Sequence, residues 1–236
     1  MEARYILHYA PDNASLVIRL ALDTLGLPYD TALVNRAAQA QKSPAYRALN
    51  PNGLIPALET PDGPMFETAA ILLWLADRHG ALAPADDSPH RARFLSWLFF
   101  LSNTLHPALR ITFYPDQYIG TDATAQATLR RHVQDTLPRY LDMLETEAAK
   151  THPWFCAQAL SALDLYLACL LRWMALYPRP HGGAGWFTLS DWPQLHAMAT
   201  RLDQSKAAIA AIRAEGLGPR PFTDPQLATP PEGSAT

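Results

Sequence analysis

The hydrophobic pattern of the chain changes character between residues 80 and 90, and this break limits the folds open to it. Before it, short apolar runs alternate with helix-period stretches; after it, only helix-period stretches recur. Arg4 to His8 reads as a strand, and Tyr9-Ala10-Pro11-Asp12-Asn13 as a turn. From Ala14 to Leu25, the residues Leu16, Val17, Leu20, Ala21 and Leu25 recur at helical spacing, and Gly26 then Pro28 end that helix. Tyr29 to Val34 is a second strand candidate, and residues 37–49 are a partly helical region broken by Pro44. Asn50-Pro51-Asn52-Gly53 is a strong turn signal. Ile55 to Thr60 and Met65-Phe66 form a short hairpin across Pro61-Asp62-Gly63-Pro64. Ala69 to His79 is apolar almost all round, so that helix should be covered on several sides, with Gly80 closing it. Long helical stretches then cover roughly 90–114, 124–149, 161–177 and 192–214.

The expected division is an α/β domain over 1–80, a linker over 81–89 marked by Pro84 and Pro89, and an all-helical domain over 90–218. The Pro-rich tail, 219–236, is expected to be extended or disordered. A length of 236 residues fits one large domain or two modest ones. With 49% hydrophobic and 17% charged residues, the chain can bury a core. Nineteen basic against 22 acidic residues give a net charge of −3, without basic blocks, which argues against nucleic acid or an anionic membrane surface as partner. No run approaches the roughly 18–20 apolar residues of a membrane span, and the apolar stretch behind Glu2 is too short for a secretory core. A cytoplasmic protein is expected. Cys156 and Cys169 are too few for a disulfide framework and read as core residues. The eight His lack ligand spacing, so no metal is expected.

Two segments point to chemistry. In Asn50-Pro51-Asn52-Gly53-Leu54-Ile55-Pro56-Ala57-Leu58, a proline stands at a strand start, where it cannot donate to a ladder. With a trans Ile55–Pro56 bond this is a plain loop. With a cis bond, Ile55 presents its backbone N–H and C=O outward, and a peptide-like ligand can pair with both as an added strand. Glu67-Thr68 precedes the apolar helix. Thr68 serves as its N-cap, or else a carboxylate, a hydroxyl and free helix N–H groups converge there to hold an amino-acid head group.

The order of elements, the Asn50–Leu58 segment and Glu67-Thr68 together resemble the thioredoxin-like N-terminal domain of the glutathione transferase family. Ser161-Ala-Leu-Asp164 resembles the family's Ser-x-x-Asp capping box at the start of its buried core helix, although Ala157 stands where the family usually has Gly. Trp97 to His106, Leu171-Arg172-Trp173 and Ala214-Glu215-Gly216-Leu217 are most similar to the bacterial beta class, and the likeness runs over about residues 4 to 222.

The resemblance implies a glutathione site and a homodimer. Ile55, next to a cis-Pro56, would pair with the cysteinyl part of glutathione, while Glu67 and Thr68 would hold its γ-glutamyl end. Lys42 would meet the glycyl carboxylate. Asn103 falls where the class has a polar residue reaching the partner subunit's site, and His106 falls at the catalytic mouth. Phe113, Tyr114 and Trp173 would bind a hydrophobic electrophile. The class cysteine position falls on Ala14, and no cysteine precedes Cys156, so chemistry through a mixed disulfide is not expected. The position of Ser or Thr in other classes falls near Asp12, whose charge would oppose a thiolate unless it faces away as a helix cap. A thiol with a pKa of about 8.5 needs donors beside it to ionise at neutral pH. Ser15, Asn13 and Tyr9 are the candidates, Ser15 first. The expected function is a glutathione transferase. The alternatives are a non-catalytic glutathione- or hydrophobic-ligand-binding protein and a glutathione-dependent lyase or isomerase.

Overall fold

A computed structural model describes residues 5–178 and 185–235. Arg4, the expected first residue of the first strand, lies outside them. Four strands, β1 (Tyr5–Tyr9), β2 (Tyr29–Leu33), β3 (Ala57–Thr60) and β4 (Gly63–Phe66), form one mixed sheet in the order β2-β1-β3-β4. β1 runs parallel to β2 and antiparallel to β3, which pairs antiparallel with β4. The helix α1 (Ser15–Leu25) makes the crossover between the two parallel strands. Alternate residues Tyr5, Leu7 and Tyr9 are buried on one face of β1, the side covered by α1 and by α3 (Thr68–His79). On the other face a smaller cluster joins Val34, Tyr46 and Ala57. This is the thioredoxin-like α/β domain that the sequence called for.

Local chemistry moves several boundaries. Pro44 does not break a helix but opens a short one, α2 (Pro44–Arg47), for which Ser43 is the N-cap; a proline has no N–H to waste at the first helical position. β3 starts at Ala57, leaving Ile55 and Pro56 ahead of the ladder. Thr68 is not the N-cap of α3 but its first residue; Glu67 holds the cap position with a left-handed φ of 71°.

The second half is helical, and among the described residues it adds no strand. The stretch expected over 90–114 is α4 (Arg91–Phe100), a π-turn over Leu101–Leu105, and α5 (His106–Phe113). Pro107 cannot donate to the carbonyl one turn earlier, and the wider turn absorbs that gap. A short α6 (Asp116–Ile119) follows. The stretch 124–149 divides into α7 (Ala123–Gln134) and α8 (Leu137–Ala148), because Pro138 in the first turn of α8 would interrupt a continuous helix. The last stretch divides into α10 (Pro193–Asp203) and α11 (Lys206–Glu215), with Ser205 capping the latter.

Between them, α9 (Ala162–Leu176) is the buried centre of the helical domain. Its capping box is formed: Ser161 Oγ accepts from the Asp164 N–H at 3.3 Å, and Asp164 Oδ2 accepts from the Ser161 N–H at 2.9 Å. Asp164 also accepts from the Cys156 N–H, so the loop around Ala157 is tied to the same carboxylate. Cys169 lies in the core, whereas Cys156 is only partly buried. One continuous apolar cluster runs from the sheet through α1 and α3 into α9, α10 and α11, so the two halves share a core.

The tail is extended, with no helix or strand among its described residues, but it is packed rather than disordered. Phe222 is buried, the Thr229 N–H donates to the Gly216 carbonyl, and Glu232 accepts from the Tyr9 hydroxyl. The reason is visible in the core: Arg172, fully buried in α9, takes the carbonyls of Leu217, Pro221 and Gln226 as acceptors.

Candidate functional site

The sheet register brings three segments to one edge. His8 pairs with Ala57, and Ala57 with Phe66. The next residues along each strand are therefore Tyr9, Pro56 and Glu67, and the β1–α1 turn, the Ile55–Pro56 bond and the start of α3 are neighbours. The Ile55–Pro56 bond is cis. The Tyr46 hydroxyl and the Asn50 side-chain amide both donate to the Leu54 carbonyl, at 2.8 and 2.7 Å, and hold the peptide just before it. No described group hydrogen-bonds the N–H or C=O of Ile55, so both remain open to a ligand. At the start of α3, the first hydrogen bond to a helix carbonyl runs from Ile71 to Glu67, and no described group accepts from the N–H of Thr68 or Ala69. Glu67 is exposed there in its left-handed conformation, the kind of backbone strain that collects at ligand sites.

The turn separates the candidate donors. Ser15 is fully buried, and its Oγ donates to the Ala10 carbonyl at 3.1 Å and accepts from the Ala10 N–H at 3.3 Å. Its hydroxyl is thus committed to the turn, which removes the first choice made from sequence. The Tyr9 hydroxyl donates to Glu232, and Arg19 lies 4.7 Å above its ring. Burial, then that bond and the Glu232 charge, push the phenol well above its ordinary range. Asn13 is different. Its Oδ1 accepts from the Ala14 N–H at 2.8 Å, and no described group accepts from its Nδ2 or its backbone N–H.

Asp12 does face away, but not as a helix cap. With a left-handed φ of 50°, it turns its carboxylate into the helical domain. There Arg172 donates to both oxygens at 2.9 Å, and Trp173 Nε1 and the Tyr177 hydroxyl donate at 3.0 Å. Its N–H donates to Glu215 at 2.8 Å, and Glu215 pairs with Arg19 at 2.7 Å.

Trp173 consequently is not an open pocket wall. It is 4% exposed, its indole N–H is taken by Asp12, and its ring lies 5.7 Å from that of His106 at 34°. His106 Nδ1 lies 2.8 Å from the Tyr166 hydroxyl. Burial, with the Arg110 charge adding to it, pushes His106 down to about 4, so the ring is neutral at physiological pH. Burial, and next the Glu67 charge, raise the Tyr166 phenol, which links this cluster back to the α3 N-terminus. Phe113 and Tyr114 are partly exposed beyond it, Phe113 resting on Tyr177 and the Tyr114 hydroxyl accepting from Arg36 at 3.5 Å.

Lys42 and Asn103 are exposed and stand apart. Lys42 Nζ lies 3.4 Å from Gln39 Oε1, and Asn103 projects from the π-turn and accepts from Ser102. No group of residues able to hold a metal occurs among the described residues. A cavity of about 520 Å³ lies elsewhere, between Thr24, Leu82, Gln158 and Arg201, and includes none of these residues. Sequence reasoning missed the Asp12–Arg172–Tyr177 cluster. Its signal was present: an arginine amid the apolar residues of a core helix must be paired.

Residues 14–78 match the family model described as glutathione S-transferase, N-terminal domain, and residues 125–197 match the corresponding C-terminal domain. The chain is 29% identical to glutathione S-transferase GstA of Escherichia coli O157:H7, over 89% of this chain and 98% of that protein. It is 31% identical to a sphingomonad glutathione S-transferase solved in complex with glutathione, with a TM-score of 0.72 over 90% of this chain and all of that one. A bacterial beta class glutathione S-transferase of Sphingomonas chungbukensis is 29% identical with a TM-score of 0.68, over 89% of this chain and 98% of that one.

Proposed function

The chain belongs to the glutathione S-transferase family, and we propose that it holds glutathione as a thiolate for attack on a hydrophobic electrophile. The observation that carries this reading is the meeting, at one sheet edge, of the open backbone of Ile55, the open N-terminus of α3 and the Asn13 donors. The cysteinyl backbone pairs with the Ile55 N–H and C=O beside Pro56, as an added strand would. The γ-glutamyl carboxylate takes the Thr68 hydroxyl and the free α3 N–H groups, and Glu67 takes its ammonium. Lys42 meets the glycyl carboxylate.

In this scheme Asn13 replaces Ser15 as the thiolate donor, because the Ser15 hydroxyl is already committed. The thiolate attacks the electrophile to form a carbon–sulfur bond, and catalysis consists of lowering the thiol pKa and positioning the two reactants. Phe113 and Tyr114 line the electrophile side, with neutral His106 at its mouth. The enzyme is beta-like, with Ala14 at the class cysteine position, so no mixed disulfide forms on the turn. We take it to be a cytoplasmic homodimer in which Asn103 reaches the partner's site.

The test is retention on immobilised glutathione, followed by conjugation to a generic aromatic electrophile. Retention with turnover supports the reading. Retention without turnover points to a binding protein, and no retention overturns the glutathione site itself.

A further inference from the structure

The turn assigned to the glutathione sulfur carries a carboxylate, Asp12, whose charge would oppose a thiolate. The structure shows what becomes of that charge. Both Asp12 oxygens are occupied by the buried guanidinium of Arg172, by Trp173 and by Tyr177. Each member of the Asp12–Arg172 pair is fully desolvated, with side-chain exposures of 0%. Arg172 is held from behind by the carbonyls of Leu217, Pro221 and Gln226, so it cannot follow Asp12 if the turn moves. A salt bridge this deep is not needed for the stability of a helical core, since an apolar pair of similar volume commonly does as well. Its position is what matters: Asp12 is the residue before Asn13, and the pair anchors Asp12 in a left-handed conformation within the turn that carries the Asn13 amide.

We propose that Arg172 is a positioning residue for the glutathione thiolate, acting through Asp12: it cancels the carboxylate's charge beside the sulfur and locks the turn that presents Asn13. This rests on the glutathione reading above. The other charged and titratable groups around Asp12 are Glu215, which accepts its N–H, Arg19, which neutralises Glu215, the buried Cys169 thiol and Tyr177. Two acids face two arginines, so the set is electrically balanced. Removing one member leaves a net charge behind the turn.

The direction of that charge gives the test. Glutathione binding to each variant is measured by calorimetry, and the thiol is titrated in the complex by its thiolate absorbance and by the pH profile of kcat/KM. Asp12→Asn leaves Arg172 uncompensated, and the bound thiol should titrate about one pH unit lower, giving about tenfold more thiolate on the acid limb. Arg172→Met should shift the profile the opposite way, and the double variant should return towards the parent. A merely structural role loosens the turn in both single variants and moves both profiles to higher pH. If Arg172→Met does not fold, Asp12→Asn decides alone: an acid shift supports the proposal, and no shift or an alkaline one overturns it. Wild-type protein that does not bind glutathione overturns the functional reading and the proposal with it. Binding with unshifted profiles overturns the proposal only.

Discussion

Ser15 and Asn13 stand two positions apart and do different work. Ser15 exchanges both halves of a hydrogen-bond pair with the Ala10 backbone in a fully buried place. Ser15→Ala should therefore lower stability by about 1–3 kcal/mol, the cost of leaving a buried backbone group unpaired, while the thiol of bound glutathione titrates as before. Asn13→Ala should do the reverse, leaving the denaturation midpoint nearly unchanged and lowering kcat/KM at neutral pH by about tenfold or more. Urea titration and the pH–rate profile separate the two. The sequence names both residues but ranks Ser15 ahead of Asn13, because whether the turn takes the Ser15 hydroxyl depends on Ala10, five residues back, and on the left-handed Asp12 between them. His106 gives a second residue-level prediction. Burial pushes it from the ordinary imidazole value of 6.5 down to about 4, so its contribution is fully present above 6.5 and is lost as pH falls towards 4. Asp164 acts with the opposite sign, since burial raises it to about 6 and its ionisation above that weakens the fold. A direct comparison with His106→Phe isolates the histidine: the loss between pH 7 and 4.5 should be smaller in the variant by up to about 3 kcal/mol.

Elements were more legible than their ends. All four strands and the major helices follow from periodicity, since a period of 2 or 3.6 is written into the residues that must face a core. The ends depend on single residues whose effect is conditional. Pro44 reads as a break and the stretch 124–149 runs through Pro138, yet each proline stands in the first turn of a helix, because proline is harmful inside a helix and harmless at its start. Thr68 read as a cap, but Glu67 takes that place with a positive φ, which no local propensity favours. The Ile55–Pro56 segment is legible as an alternative only; the peptide before it is held by Tyr46 and Asn50, and Tyr46 lies outside the motif. Where the motif is self-contained the reading held, as in the Ser161–Asp164 box. Ser161→Ala should lower stability by about 1–2 kcal/mol, a full cap at the start of the central helix. Asp164→Ala should cost more, because Asp164 also holds the Cys156 N–H. Thermal unfolding of the two variants orders them, and equal losses would mean that the Cys156 loop contributes nothing.

At the scale of the whole molecule the tail is the element that composition misjudged. Its prolines prevent a helix, but they do not prevent docking, and most of the tail groups that dock it are backbone N–H and C=O, which no sequence pattern displays. Its start is held by Pro221 on Arg172 and by Phe222 and Thr223 on Asp203, and its far part by Gln226 on Arg172, Thr229 on Gly216 and Glu232 on Tyr9. Gly216 is the point where a substitution reads this out. It ends α11 with φ 64°, and a Cβ there would lie 2.1 Å from the Thr229 carbonyl oxygen, a backbone atom that cannot give way without moving the tail. Gly216→Ala in the full chain therefore carries two costs, left-handed strain of about 1–2 kcal/mol and loss of the tail's contacts. Removal of residues 224–236 carries the second cost alone, including one charge-assisted bond of about 1.5–3 kcal/mol at Arg172. Combined, the two changes should be less than additive by about the value of the docked tail, and in the shortened chain Gly216→Ala should cost only the strain. The shortened chain should also bring the Tyr9 phenol down towards its ordinary range, since the Glu232 bond and charge that help hold it up are gone. Additive losses, with an unchanged Tyr9 titration, would mean that the tail does not dock on the β1–α1 turn. Sub-additive losses mean that the tail docks beside the β1–α1 turn, joined through Arg172 to the same carboxylate that the thiolate must not meet.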